Sequence, residues 1–381
     1  MRVVLIFTYG VSLGEWRRKG LLDREILIYK RLVREGHEVS FVTYGADDDL
    51  LIERDMGGIK VFPVFTRIKK SSLPWVNVLK SFLIPFRFRG VFRGADVIKT
   101  NQMQGSWVGL IARYIYGKRL VVRCGFEWYR NAYTRGAGRF FSFGKILVYA
   151  LEWISYVLGD EIIISSETDA EFIKRSFGIK TSKMRLIRNY VDTDIFKPFD
   201  RAREGRGRLL YIGRFEPRKN ILSILKAVKD TPYRLDIIGY GEEEGLLRGY
   251  VRDNGVNAGF LELVPNNKLP GLFSGYDALV LASFYENSPK VILEAMSCGM
   301  PVIGTDVPGI RELIRHGENG FLCYTDTLSI RKAMETVMGD PAMRDNMGKN
   351  ARKYILENCS LDKVFPEELN IYSRLTGEVR A

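Results

Sequence analysis

Histidine is nearly absent from this 381-residue chain: there are two, His37 and His316, each beside a glycine at an expected turn. Neither is placed to ligate a metal. Cysteine is sparse too. Cys124, Cys298, Cys323 and Cys359 are scattered without CxxC spacing, which excludes a cysteine-held metal and a disulfide framework. No apolar run reaches the roughly 18 residues that a membrane-spanning helix needs. The first strand is expected from residue 2, leaving no room for a signal peptide. Low-complexity segments and nucleic-acid motifs are also missing, so a nucleic-acid partner is not expected. The expectation is a cytosolic protein with reduced thiols, long enough for two domains of ordinary size.

Acidic residues are missing from one region in particular. Residues 1–200 carry 33 Lys and Arg against 21 Asp and Glu, whereas residues 201–381 carry 25 against 24. Between residues 64 and 150 there are sixteen bases and two acids, Asp96 and Glu127. That stretch also holds Trp75, Phe82, Phe86, Phe88 and Phe92. Bases interleaved with aromatics read as an interfacial patch that docks on an anionic membrane. A second reading stands beside it: a core-packing helix with solvated arginines around it.

Hydrophobic periodicity alternates strand and helix through the first half. Strands are expected at Arg2–Tyr9, Glu38–Tyr44, Ile59–Val64, Val97–Asn101, Arg119–Arg123, Glu161–Ser166 and Met184–Arg188, with helices between them. Regular alternation implies a parallel, doubly wound sheet. A charged, glycine-containing stretch at Asp200–Arg208 reads as a linker. Alternation then resumes, with strands near Leu209, Leu235, Gly259, Ala278 and Pro301. The expected domains are 1–198, 207–355, and a last helical segment, 356–381.

The run from Ala282 to Gly304 sets Glu286 and Glu294 eight positions apart, with a helix start between them. Ser288 suits an N-cap and Pro289 the first helical position. The amides of Lys290 and Val291 then stand at the positive end of the helix dipole, an anion site whose usual occupant is phosphate. Glu294 sits among Val291, Ile292, Leu293, Ala295 and Met296, where a carboxylate is costly unless paired, for instance with sugar hydroxyls. Upstream, the strand ending at Gly213 is followed by a loop carrying Arg214 and Lys219. A guanidinium fork and a point charge at a strand's carboxyl end suit a diphosphate.

In this order the segments resemble the retaining glycosyltransferases of family 4 (glycosyl transferases group 1), from about Leu209 to Leu322. The resemblance rests on Gly213-Arg-x4-Lys-Asn220, Asp236-Ile-Ile-Gly239-Tyr-Gly241, Asp277, the Glu286/Glu294 pair, Gly299-Met-Pro301, Gly309-Ile-Arg-Glu312 and Gly317-Glu-Asn-Gly320. It implies an α/β protein of the GT-B type: two Rossmann-like, doubly wound domains facing a cleft, with the C-terminal helix crossing back to the first. It implies transfer of a sugar from a nucleotide diphosphate-sugar to a glycan or lipid-linked acceptor, with retention and without metal or cofactor. Glu294 would hold the ribose and Glu286 the donor sugar. The backbone at Asn287 and Ser288 would bind sugar hydroxyls, and Arg214, Lys219 and the helix start at Lys290 the leaving diphosphate. Work at the inner face of the cell membrane, in glycan or envelope polysaccharide synthesis, goes with this reading.

Two departures from the family pattern concern the first half. The loop after the first strand has spaced glycines, Gly10, Gly14 and Gly20, in place of a Gly-Gly turn. It reads as a donor-phosphate loop around Gly14, or equally as an acceptor-facing loop offering Arg17, Arg18 and Lys19. Cys124 stands where many relatives place a histidine. Arg123 and Glu127 either take over that contact to the donor sugar or pair with each other. Rival functions are a nucleotide-sugar epimerase or hydrolase of the same fold, and a non-catalytic membrane-binding protein.

Overall fold

The computed structural model describes residues 1–125, 129, 143–199 and 207–377. Two compact units emerge: Met1–Ile187 with Phe365–Ala381, and Arg188–Val364. Residues 188–198 therefore belong to the second unit rather than the first. Hydrogen bonds hold them there: Val191 N–H donates to the Cys359 carbonyl (3.0 Å), and Ser297 Oγ donates to the Phe196 carbonyl (2.5 Å).

The first unit is a seven-stranded parallel sheet in the order β3-β2-β1-β4-β5-β6-β7. Its strands are β1 (Arg2–Ile6), β2 (Glu38–Thr43), β3 (Lys60–Pro63), β4 (Val97–Thr100), β5 (Arg119–Cys124), β6 (Glu161–Ile164) and β7 (Met184–Leu186). All seven expected strands form, each ending up to three residues early or, at β5, one late. β1 and β4 are buried along nearly their whole length, as in a sheet covered on both faces. The second unit holds six parallel strands in the order β10-β9-β8-β11-β12-β13. These are β8 (Arg208–Ile212), β9 (Arg234–Ile238), β10 (Ala258–Leu261), β11 (Ala278–Leu281), β12 (Val302–Thr305) and β13 (Phe321–Cys323). Periodicity missed β13, because three residues are too few to show it.

Each sheet reverses its winding once, between β1 and β4 and between β8 and β11, and crevices for ligands open at the carboxyl ends of such strand pairs. Asp277, one of the family-like residues, lies at the opposite end: its carboxylate accepts from the amides of Gly207 (2.8 Å) and Arg208 (2.9 Å). It ties β8 to β11 and has no place in the site.

The aromatic and basic stretch divides in two. Phe88 and Phe92 are core residues, together with Ile84. Trp75, Leu79, Phe82, Leu83 and Phe86 point outward, between 39% and 62% exposed, from the helices Pro74–Ser81 and Ile84–Arg87 and the turn between them. The core side is thus already filled, and the reading of this segment as wholly core packing does not hold.

The helix Leu361–Thr376 brings Glu368 onto Lys99 of β4, and both side chains are almost fully buried. Tyr372 donates to the same carboxylate. Lys99 and nearby Arg123 hold the Glu368 carboxyl below its ordinary range against the opposing pull of burial. Removing one partner of a buried pair leaves an uncompensated charge, at about 3–5 kcal/mol. Glu368→Leu should therefore cost about that much in urea unfolding, and Lys99→Met/Glu368→Leu should recover most of it.

Candidate active site

The loops after β8 and β9 are laced together before any functional side chain is placed. Gly213 N–H donates to the Ile238 carbonyl (3.0 Å), and Phe215 N–H to the Tyr240 carbonyl (2.8 Å). A Cβ on Gly239 would fall 1.8 Å from the Gly213 carbonyl oxygen, so only glycine permits this approach. The Tyr211 hydroxyl then donates to the Arg214 carbonyl (3.2 Å) from beneath. This fixes where the Arg214–Lys219 loop leaves the sheet.

The loop after β11 is held on every side. Asn220, in the left-handed conformation (φ 55°), donates from Nδ2 to the carbonyls of Ala282 (3.0 Å) and Thr325 (2.8 Å). Thr305 Oγ1 donates to the Ser283 carbonyl (2.6 Å), and Phe284 N–H to the Arg218 carbonyl (2.9 Å). Asn189 Nδ2 donates to the Ser288 carbonyl (3.0 Å). From the far side, a Cβ on Gly309 would stand 2.2 Å from the Glu286 carbonyl oxygen and 2.1 Å from that of Asn287. The helix Pro308–Arg311 is pressed against the loop there, and any larger residue would push it away.

This cage brings Glu286 and Lys219 together. The Lys219 ammonium donates to Glu286 Oε1, which also accepts from Ser283 Oγ (2.7 Å); Arg218 Nη1 stands 3.9 Å from Oε2. Both members of the pair are almost buried, with side-chain exposures of 11% and 7%. Burial pulls the Lys219 pKa below its ordinary value, and Glu286 opposes that shift. Arg214 is different: its guanidinium is half exposed and holds Glu216 at 2.8 Å. Gly213 lies directly over the Tyr211 ring, where a Cβ would meet the hydroxyl at 2.6 Å.

The helix expected after Glu286 spans Lys290–Ser297. It begins one residue later than expected. Pro289 keeps an extended backbone (ψ 111°) and occupies the cap position, with no side-chain cap. Ser288 is therefore not the N-cap. Lys290 and Val291 form the first turn, and Ile292 N–H donates to the Pro289 carbonyl (3.1 Å). Glu294 is buried, and Asn266 Nδ2 donates to its Oε1 (2.8 Å). Sequence reading missed Asn266, Ser283 and Arg218. Asn266 lies 28 positions from its partner, and a bond that distant leaves no local pattern.

In the first unit, Gly14 sits in the first turn of the helix Leu13–Arg18. The buried Asp49 carboxylate accepts from Leu13 N–H (3.1 Å), Gly14 N–H (2.9 Å) and Thr43 Oγ1 (2.6 Å). A carboxylate of the chain itself thus takes the place an incoming phosphate would need. Arg123 lies on β5, on the sheet face that carries Lys99, and its charge acts on Lys99 and Glu368. Glu127 lies outside the described residues. Among the described residues no His, Cys, Asp or Glu group could hold a metal ion.

The model for glycosyl transferases group 1 matches residues 192–354, and that for glycosyltransferase family 4 matches residues 27–195. The chain belongs to the family 4 glycosyltransferases of the GT-B fold. An uncharacterised glycosyltransferase of Methanocaldococcus jannaschii is 26% identical over 368 residues, 90% of each chain. The UDP-Gal:alpha-D-GlcNAc-diphosphoundecaprenol alpha-1,3-galactosyltransferase of Escherichia coli is 25% identical over 73% of this chain and 75% of its own. Among solved structures, Anabaena HepE in complex with UDP superposes with a TM-score of 0.77 at 20% identity, over 98% of this chain and all of its own. This glycosyltransferase is thus an enzyme moving sugar from a nucleotide sugar to an acceptor.

The two cations of the Arg214–Lys219 loop should behave differently. Lys219→Ala removes the partner of a buried carboxylate, so it should lower transfer at least tenfold and also destabilise by about 1–3 kcal/mol. Arg214→Ala should lower transfer with the urea midpoint nearly unchanged, because its guanidinium is half exposed and Glu216 keeps Arg218 as a partner at 2.8 Å. Turnover and unfolding curves on both variants check this.

Proposed function

We propose that this glycosyltransferase retains anomeric configuration, works without a metal, and serves a lipid-linked or glycan acceptor at an anionic membrane. The observation that carries the donor half is the buried Glu286, held by Lys219 and Ser283 where the second sheet reverses, in the loop that leads into the helix at Lys290. A sugar diphosphate there would meet cations and helix amides just where its leaving group gains charge. In the step, the anomeric carbon–oxygen bond to the diphosphate breaks. The acceptor oxygen bonds to the same face, and its proton passes to a leaving phosphate oxygen. Glu286 accepts hydrogen bonds from the donor sugar, whose hydroxyls also meet the backbone at Asn287 and Ser288, while Glu294, oriented by Asn266, takes the ribose. The UDP complex of Anabaena HepE supports a uridine donor. The galactosyltransferase relative, whose acceptor is named as a diphosphoundecaprenol, supports a lipid-linked acceptor and a place in cell-envelope glycan synthesis.

Calorimetry with UDP in excess EDTA separates the two carboxylates. Wild type should bind, Glu294→Gln should bind at least tenfold more weakly, and Glu286→Gln should bind nearly normally while turnover falls. Strict dependence on added magnesium or manganese would contradict the metal-free account.

The membrane half rests on the outward stripe from Trp75 to Phe86, flanked by exposed Arg87, Arg89 and Arg93. Each base contributes about 1 kcal/mol near an anionic surface, and salt weakens the attraction. Sedimentation with phosphatidylglycerol vesicles should show binding that phosphatidylcholine vesicles lack. Arg87→Glu/Arg89→Glu/Arg93→Glu should abolish it.

A further inference from the structure

Arg218 and Lys219 are neighbours on the turn Pro217–Lys219, yet they approach different oxygens of Glu286. Lys219 and Ser283 Oγ both donate to Oε1. The other oxygen, Oε2, lies 3.9 Å from Arg218 Nη1, within ion-pair range and beyond a hydrogen bond. Glu216 keeps Arg218 at that distance. Its Oε2 holds Arg218 Nε at 2.8 Å, while its Oε1 holds Arg214 Nη1, also at 2.8 Å. The Arg218 backbone is fixed independently, since its carbonyl accepts from Phe284 N–H (2.9 Å). The guanidinium can therefore shift without loosening the loop.

The charge balance changes when a diphosphate enters. Arg214, Arg218 and Lys219 face Glu216 and Glu286, three cations to two carboxylates. By the donor-site reading, on which this inference rests, the diphosphate engages Arg214 and Lys219. Each of them holds a carboxylate in the free protein. Drawing both toward phosphate leaves Glu216 and Glu286 to a single cation, Arg218. Glu286 is almost buried, and there an unpaired charge is most costly. Burial pulls the Lys219 pKa down, Glu286 opposes it, and the charge of Arg218 adds to the downward pull. A guanidinium offers several donors in one plane. Arg218 can thus keep Nε on Glu216 and bring Nη1 onto Glu286.

We propose that Arg218 is a positioning residue that takes over Glu286 when the donor diphosphate draws Lys219 away. Ser283 stays on Oε1, and Arg218 closes onto Oε2. The carboxylate keeps a cation and its orientation through the exchange, and meets the donor sugar in place. Arg218 itself touches neither phosphate nor sugar.

A binding cycle on UDP, by calorimetry in excess EDTA, needs neither donor sugar nor acceptor. Arg218→Ala should bind UDP at least tenfold more weakly than wild type, because binding then strands the Glu286 charge. Glu286→Gln should match wild type within threefold. Arg218→Ala/Glu286→Gln should recover that affinity within threefold, since no charge is left to strand. Arg218→Lys, which keeps the charge without the fork, should lose less than fivefold. A double variant as weak as Arg218→Ala would make Arg218 a direct diphosphate ligand and overturn the proposal. Wild-type affinity in Arg218→Ala would overturn it too. If Arg218→Ala does not fold, Arg218→Gln, which keeps most of the stem and loses the charge, runs the same cycle. Wild type that fails to bind UDP would overturn the donor reading and the exchange with it, a result distinct from a failed cycle.

Discussion

The buried ion pair between Lys219 and Glu286 joins the two loops on which the candidate donor site depends. Each loop leaves a different strand, and the sheet's winding reverses between those strands. The pair is expensive to bury, and its desolvation is offset only by close geometry and by the further donor, Ser283 Oγ. Asn220, Thr305, Asn189 and Gly309 hold the loop backbone in the one arrangement where that geometry is met. The carboxylate is thus oriented before any substrate arrives, which lowers the cost of binding one.

Much of this was legible in the residues. The Glu286/Glu294 spacing, the glycine turn before Arg214 and the helix after Pro289 all rest on local chemistry. Propensity and capping rules work within a few residues, and they located these elements. What escaped was non-local. The Lys219–Glu286 pair spans 67 positions and the Asn266–Glu294 bond 28, and sequence period carries no trace of either. The cap at Ser288 failed for a local reason. Proline in an extended conformation can close a helix end with its backbone alone, and this moved the start to Lys290.

The first unit teaches the same lesson from charge. Composition located the basic, aromatic segment but could not tell inward residues from outward ones. Phe88 and Phe92 became core and left Trp75, Leu79 and Phe86 outside, because the sheet beneath accepts one face only. Likewise, spaced glycines after β1 looked open to a phosphate, yet Asp49, some 35 positions on, supplies a carboxylate to those amides. The two sheets therefore share a topology and differ in chemistry: the loop after β8 carries cations, and a carboxylate closes the loop after β1.

The most direct test of the central claim is a crystal structure of the protein soaked with UDP. The account predicts the diphosphate between Lys219, Arg214 and the first turn of the helix at Lys290, with the ribose hydroxyls on Glu294. The Ser283 and Asn266 hydrogen bonds to the two carboxylates should be unchanged. UDP bound anywhere else, or a site left empty at saturating UDP, would contradict it.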